Sequence, residues 1–307
     1  MKNCEFLYRE AKQKLVDLVE RNKIPLDKIC LSFSGGRDST IMLHMIDDLG
    51  WKNKIKVAHF NTTMEFDATL EFVNKKIDEG WQIDITKPAK TMPQIYKEYG
   101  KPFHSKYTSE MINRLQIHKF DFKQDTYKDF NELIIKYPKC RAALKWLTGH
   151  DRATLICPKW VKRALVFNEI RIANKCCEFL KKKPAKDYEK QHNIILSIIG
   201  VRQSESLSRK YTYKGCVWSD NKHFKFFPLL YFTDQDIKDL VEIKQIELSK
   251  AYTIYKQNRT GCVGCPFGKN HKEELEVLRK FEPKRAKIVE YLYKDIYDLD
   301  SFKKHKD

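Results

Sequence analysis

The amino-acid sequence predicts an α/β protein: a doubly wound parallel sheet of five strands with a helical insertion and a helical C-terminal segment. Three observations lead there. The first ninety residues alternate strand-like apolar runs with amphipathic stretches in the order strand, helix, strand, helix, strand, the pattern of parallel strands joined by crossover helices. The run Ile194-Ile195-Leu196-Ser197-Ile198-Ile199-Gly200 is almost wholly apolar, as a central parallel strand covered on both faces must be. Between the first strand and its helix lies Ser34-Gly35-Gly36-Arg37-Asp38-Ser39, a glycine turn where an open α/β sheet binds its ligands.

Taken in order, Phe6, Leu15, Leu18 and Val19 recur among charges and predict an amphipathic helix over residues 5–20, closed by Ile24-Pro25. Ile29 to Phe33 is the first strand, and Ile41, Leu43 and Ile46 give the period of the next helix, which Gly50 ends. Residues 55–60 read as the second strand, 67–78 as a helix and 81–85 as the third strand. From Lys101 to Pro158 the chain is aromatic, Lys-rich and helical in propensity. A helix over residues 162–177 is expected to end in a Lys run and Pro184, before the central strand at 194–200. A short strand or turn at Phe226-Phe227-Pro228, a helix from Asp234, helices after His271 and a frayed polar tail beyond Asp300 complete the reading. The expected division is a nucleotide-binding domain over residues 1–240, with the insertion at about 101–158, and a helical segment over 241–307.

The loop Ser32-Phe33-Ser34-Gly35-Gly36-Arg37-Asp38-Ser39-Thr40 carries the first chemistry. A strand, a glycine turn and a helix start gather backbone N–H groups at one point, and the helix dipole favours an anion there. Two glycines admit close approach of a phosphate, and Ser34 and Ser39 offer hydroxyl donors. The spacing is not that of the Walker loop, and the third glycine of a dinucleotide fingerprint is absent.

Ser-Gly-Gly-x-Asp-Ser resembles the pyrophosphate loop of the ATP pyrophosphatases and the phosphoadenosine phosphosulfate (PAPS) reductase superfamily, with Arg37 where Lys is commoner. The resemblance implies a Rossmann-like, adenine nucleotide alpha hydrolase-like fold and an adenine nucleotide (ATP, PAPS or adenylylsulfate) on residues 32–40. It also implies that Asp38 orients the loop or a Mg²⁺ ion. The segment Gly200-Val201-Arg202-Gln203-Ser204-Glu205-Ser206-Leu207-Ser208-Arg209 leaves the fourth strand at the switch point and matches a pattern that closes over the nucleotide in that family. Gly200, Arg202, Ser206 and Arg209 are its binding candidates; arginine suits the task because its planar fork pairs with phosphate or sulfate oxygens. Further family features follow as Pro228-Leu229, Phe232-Thr233, Asp236-Ile237, Tyr255 and Arg259-Thr260-Gly261-Cys262, with Phe232 in place of Trp. The family's Asp-Thr-Gly-x-x-Phe-Pro-Glu-Thr stretch corresponds to Asn61-Thr62-Thr63-Met64-Glu65-Phe66-Asp67-Ala68-Thr69. Asn61 and Thr62 are placed in the nucleotide site, and the two carboxylates are replaced by Asn61 and Ala68.

Nine cysteines, an odd number, with no apolar leader after Met1-Lys2, lead to the expectation of a reducing cytoplasm and of thiol or metal chemistry in place of disulfides. Cys176 and Cys177 are adjacent, and Cys262 and Cys265 form a Cys-x-x-Cys before Pro266. Adjacent thiolates suit a cluster with several irons better than one zinc tetrahedron, although zinc and uncoordinated thiols remain open on spacing alone. The arrangement resembles the 4Fe-4S motif of adenylylsulfate reductases, in which a basic residue and a proline follow the pair, as Lys181 and Pro184 do here. Cys4, Cys30, Cys140, Cys157 and Cys216 read as small apolar packing residues, Cys157 and Cys216 also as candidate reactive thiols. The reductases' catalytic cysteine lies in a C-terminal Glu-Cys-Gly-x-His segment. No cysteine follows Cys265, so no catalytic residue is named.

With 59 basic and 41 acidic residues among 307, the net charge is +18, a field suited to a nucleotide or a nucleic acid. The functional expectation is nucleotide-dependent sulfur chemistry, either sulfonucleotide reduction or ATP-dependent sulfur transfer to DNA or tRNA. A sulfur donor or thiol reductant protein would be a partner, and no membrane is involved. A catalytically silent nucleotide- or nucleic-acid-binding module is the alternative of another class.

Overall fold

The computed structural model describes residues 3–152, 155–220 and 222–303. The expected frayed tail is covered as far as Lys303; residues 304–307 lie outside the described residues. The chain forms two compact units, one of Met1–Ala89 with Lys181–Cys262, the other of Lys90–Leu180 with Val263–Asp307. These differ from the division expected at residue 240: the helical insertion is part of a larger unit that includes the C-terminal helices.

The first unit carries the sheet. Its strands are β1 (Ile29–Ser32), β2 (Lys56–Phe60), β3 (Ile83–Thr86), β4 (Leu196–Ile198), β5 (Val217–Ser219) and β6 (Phe224–Phe226). The order is β3-β2-β1-β4-β6-β5. All neighbours are parallel except β5 and β6. The doubly wound parallel sheet is as expected, but it has six strands and not five; β5, exposed at all three residues, offers no apolar run from which to read it. β1 is mostly buried and β4 wholly so. Leu31 pairs with Val57 of β2 on one side and Ile198 of β4 on the other. The winding therefore reverses between β1 and β4, the place where open α/β sheets bind their ligands.

The helices beside these strands are α1 (Asn3–Arg21), α2 (Arg37–Asp48) and α3 (Asp67–Asp78). α1 buries Tyr8, Ala11, Leu15 and Val19, spaced three to four residues apart, in the same core as Leu31, Ile41, Met42, Val57 and Ile198. Gly50, at φ +67°, closes the turn after α2.

The second unit is helical, with a core of its own that includes Phe103, Ile112, Leu144, Trp146, Val161 and Ile296. Its only β pairing among the described residues is a bridge from Lys101 to Ile172. The helix expected over 162–177 is shorter, Lys159–Phe167, and ends at extended Asn168. Helical structure resumes at Cys176 and runs through a π-turn, Glu178–Lys182, into a helix over Lys183–Gln191. The adjacent cysteines thus open a helix, where sequence periodicity placed them at the end of one. No helix among the described residues is long and apolar enough to cross a membrane.

Candidate nucleotide site and cysteine segments

β1 ends at Ser32 and buried Phe33 carries the chain into the loop. Gly35 lies at φ +68°, a conformation reserved for glycine by cost, and a Cβ there would meet Thr69 Cγ2 at 2.9 Å. The hydroxyls order the turn. Ser39 Oγ donates to the Gly36 carbonyl (2.8 Å) and accepts from Ser34 N–H (3.2 Å). With its own proton spent, it also accepts from the Ser34 hydroxyl at 3.1 Å. Thr40 Oγ1 donates to the Gly36 carbonyl at 2.9 Å. Gly36 N–H reaches Ser34 Oγ at 3.3 Å, and Arg37 N–H donates to Tyr252 Oη at 3.1 Å. The amides of Gly35, Asp38 and Ser39 have no partner among the described residues. Three unspent donors at the start of α2 make a receptor for an anion. Arg37 leans over the Tyr252 ring, 5.5 Å from its centroid, and its buried Nε has no acceptor.

The Arg202 segment comes to this loop from β4. Gly200 packs on α2: a Cβ there would lie 3.0 Å from Met42 Cε. Arg202 is 5% exposed. Its Nε donates to Asp38 Oδ2 at 2.7 Å, and its Nη1 donates to Asp234 Oδ1 (2.6 Å) and Ser204 Oγ (3.0 Å). Burial works against the Arg202 charge, but Asp38 and Asp234 more than compensate and hold it protonated. Asp38 is thus tied to the Arg202 segment by a charge-assisted hydrogen bond. Ser206 accepts from Arg209 N–H at 3.2 Å and caps the helix Leu207–Thr212, while Arg209 pairs with Glu205.

Across β1, the turn after β2 carries the expected Asn61 and Thr62, and the structure adds Glu65, His59 and Thr69 beside them. Asn61 Oδ1 accepts from Thr63 N–H at 2.7 Å and so shapes the turn. Thr62 is fully buried; its N–H and Oγ1 both donate to Glu65 Oε1, at 3.1 and 2.6 Å. A carboxylate thus stands in this turn after all, brought by Glu65. His59 Nδ1 donates to the Phe33 carbonyl at 2.9 Å, and burial pushes its pKa down, so the ring is neutral. His59 Nε2, Glu65 Oε2 and Thr69 Oγ1 are buried without hydrogen-bond partners. Each such orphaned atom costs on the order of 1–3 kcal/mol until something satisfies it.

The cysteines divide. Cys4, Cys30, Cys140 and Cys157 are buried free thiols, as small apolar residues would be. Burial pushes the Cys157 thiol up to about 12 and also raises half-buried Cys216. In the second unit, Cys176 and Cys265 converge electrostatically on Tyr96. Burial first, then the Tyr293 hydroxyl and these two sulfurs, drive that hydroxyl's pKa well up. Cys177 follows Cys176, half-buried. In the first unit, Cys262 Sγ donates to Thr62 Oγ1 at 3.6 Å. As placed, no three His, Cys, Asp or Glu side chains among the described residues form a metal-binding group. The donor set itself, with two cysteines near one buried tyrosine and a third adjacent in sequence, fits a soft metal cluster by chemistry.

The sequence profile of the phosphoadenosine phosphosulfate reductase domain matches residues 28–135 and 124–267. The chain belongs to that family, a PP-loop α/β family whose members are enzymes. A curated relative, a probable FAD synthase of Caenorhabditis briggsae, is 34% identical over 79 residues, 24% of this chain and 15% of its own length. The chain therefore spans only a small part of that relative. Among solved structures, the phosphoadenylyl-sulfate (PAPS) reductase of Candida auris, in a phosphate complex, aligns at 11% identity with a TM-score of 0.42, covering 80% of this chain and 90% of its own. The NH3-dependent NAD synthetase of Campylobacter jejuni aligns at 14% identity and TM-score 0.39, over 100% of this chain and 99% of its own. The U34-tRNA thiolase NcsA of Methanococcus maripaludis, with its 4Fe-4S cluster, aligns at 12% identity and TM-score 0.39, over 99% of this chain and 81% of its own.

Proposed function

We propose that the chain is an adenine-nucleotide-dependent enzyme of sulfur chemistry that binds its nucleotide phosphates on the loop Ser34–Ser39. The observation that carries this reading is the loop itself: three unspent amides, the orphaned Arg37 Nε and the Arg202–Asp38 clamp around one point. Ser34, Gly35, Gly36, Ser39 and Thr40 set the loop, Asn61 and Thr62 shape the facing turn, and Arg202 holds Asp38. Stabilisation of phosphate charge by fixed donors is the contribution such a site makes to catalysis.

Within this class, ATP-dependent sulfur transfer is the finer reading. Cys216, the in-chain candidate for a reductase nucleophile, is half-buried with its thiol pushed up. In the transfer reaction an acceptor oxygen attacks the α-phosphorus of ATP and pyrophosphate leaves; a sulfur nucleophile then displaces AMP. The net charge of +18 suits a nucleic-acid acceptor. Cys176, Cys177, Cys262 and Cys265 would hold a 4Fe-4S cluster, which when bound supplies iron–sulfide and electron-transfer chemistry.

A turnover assay tests this. Pyrophosphate release from ATP, above that of a Ser34→Ala, Asp38→Ala double variant, is expected in the presence of the acceptor nucleic acid. Sulfite release from PAPS or adenylylsulfate would move the assignment to the reductase branch. Release of neither would leave a silent binding module.

A further inference from the structure

One loop donor is not open. Arg37 N–H, the first amide of α2, is donated to the phenol of Tyr252 at 3.1 Å. Tyr252 belongs to a short helix, Lys250–Thr253, far along the chain but in the same unit. Its hydroxyl is also 3.2 Å from Thr260 Oγ1. Both hydroxyls crowd the open face of Gly36: a Cβ built there would stand 2.9 Å from Thr260 Oγ1 and 3.4 Å from Tyr252 Oη. The two hydroxyls therefore cover the loop beside the Arg37 amide. Beside it, the Arg37 guanidinium rests over the Tyr252 ring with its buried Nε lacking an acceptor. A neutral phenol oxygen thus sits before a helix N-terminal amide, next to an arginine that wants an anion. Hydrogen bonds to an ionised acceptor are roughly twice as strong as neutral ones, so a phosphate oxygen wins this place.

We propose that the Tyr252 hydroxyl is a stand-in for a phosphate oxygen, and that ligand entry at the loop displaces Tyr252 and Thr260 together. The inference rests on the phosphate-site reading given above. Its consequence lies two residues on. Thr260 leads through Gly261 to Cys262, whose sulfur touches Thr62 at 3.6 Å. The Lys250–Thr260 strap therefore registers whether the loop is filled and transmits it to the first cysteine of the Cys-x-x-Cys. Tyr252 acts here as a positioning and affinity-setting residue.

The test uses the full chain and two ligands, inorganic pyrophosphate and ATP, with dissociation constants measured by calorimetry for the natural protein, Tyr252→Phe and Thr260→Val. Phe keeps the ring beneath Arg37 and removes only the competing oxygen. Losing a neutral competing hydrogen bond should tighten pyrophosphate binding roughly three- to tenfold. Hydrogen–deuterium exchange on the natural protein should show residues 250–260 losing protection when pyrophosphate binds, a readout that holds even if a variant folds poorly. Unchanged or weaker binding by Tyr252→Phe, or a strap whose protection does not fall, overturns the inference while leaving the nucleotide reading intact. ATP binding no tighter than pyrophosphate, together with tightening in Tyr252→Phe, sinks the nucleotide reading and keeps the stand-in. Binding of neither ligand refutes both.

Discussion

Removing the Arg202 side chain should have two separable effects, because that residue ties three groups at once. In Arg202→Ala the Asp38 carboxylate loses its 2.7 Å partner while remaining only 19% exposed, whereas Asp234, at 68%, rehydrates freely. Breaking a fully buried ion pair from one side costs about 3–5 kcal/mol; with one carboxylate half-sheltered and the other in water, about 2–3 kcal/mol is expected here. Urea unfolding of the natural protein, Arg202→Ala, Asp38→Asn and the double variant supplies the cycle. The double variant should recover about 1.5–3 kcal/mol relative to the sum of the singles, the range of a charge-assisted hydrogen bond. Arg202→Lys should recover less than the full coupling, since an ammonium cannot span Asp38 and Asp234 as the fork does. The same Arg202→Ala protein should bind nucleotide about 1.5–3 kcal/mol more weakly, because a loop without its clamp must be ordered by the ligand. Additivity of the two single substitutions to within about 0.5 kcal/mol would refute the clamp. An unaltered dissociation constant would take Arg202 out of the site.

Three further outcomes can be checked. Gly35→Ala should destabilise by more than Gly50→Ala: both sit near φ +67°, but only the Gly35 methyl meets Thr69 and Val73, and thermal unfolding of the pair isolates the crowding from a shared backbone cost of about 1–2 kcal/mol. Asp125 is fully buried, and although burial opposes its charge, hydrogen bonds from Lys128, Lys136 and Tyr137 hold its carboxyl far below the usual range. A depressed carboxyl stabilises fully above its unfolded pKa of about 4 and loses that stabilisation as pH falls below it; Asp125→Asn should therefore be less stable at pH 7 yet lose less on acidification, and parallel acid-unfolding curves for the two proteins would contradict this. Cys262→Ser should lower iron and acid-labile sulfide from about four each per chain after anaerobic purification; unchanged iron would remove Cys262 from the ligand set.

How much of this was legible in the sequence depends on how locally each feature is determined. The helix α3 was readable to its termini, Asp67–Asp78, because Ala68, Thr69, Phe72 and Val73 recur at helical spacing. The switch point between β1 and β4 was readable because an apolar central strand and a glycine loop are both local signals. The break after Phe167 was not: Asn168 turns extended with no glycine or proline to announce it, so the cysteines were placed at the wrong end of a helix. Tyr252 reaches the Arg37 amide from 215 residues away, and nothing in its neighbours betrays that. Glu65 was in view, yet that its carboxylate would accept from both Thr62 N–H and Thr62 Oγ1 was not readable from the linear match. The two units were hidden for the same reason: each is assembled from two separated stretches of chain.

That interleaving has a consequence for how the protein is made. Leu31 cannot meet Ile198 until the ribosome has passed the entire Lys90–Leu180 stretch. At cellular elongation rates the exposed edge of β1 waits roughly ten to thirty seconds for its neighbour. The first half of the sheet must survive that interval with an unpaired apolar edge, and the receptor for an anion is half-built throughout it. Expression conditions that slow translation lengthen that interval and should raise aggregation.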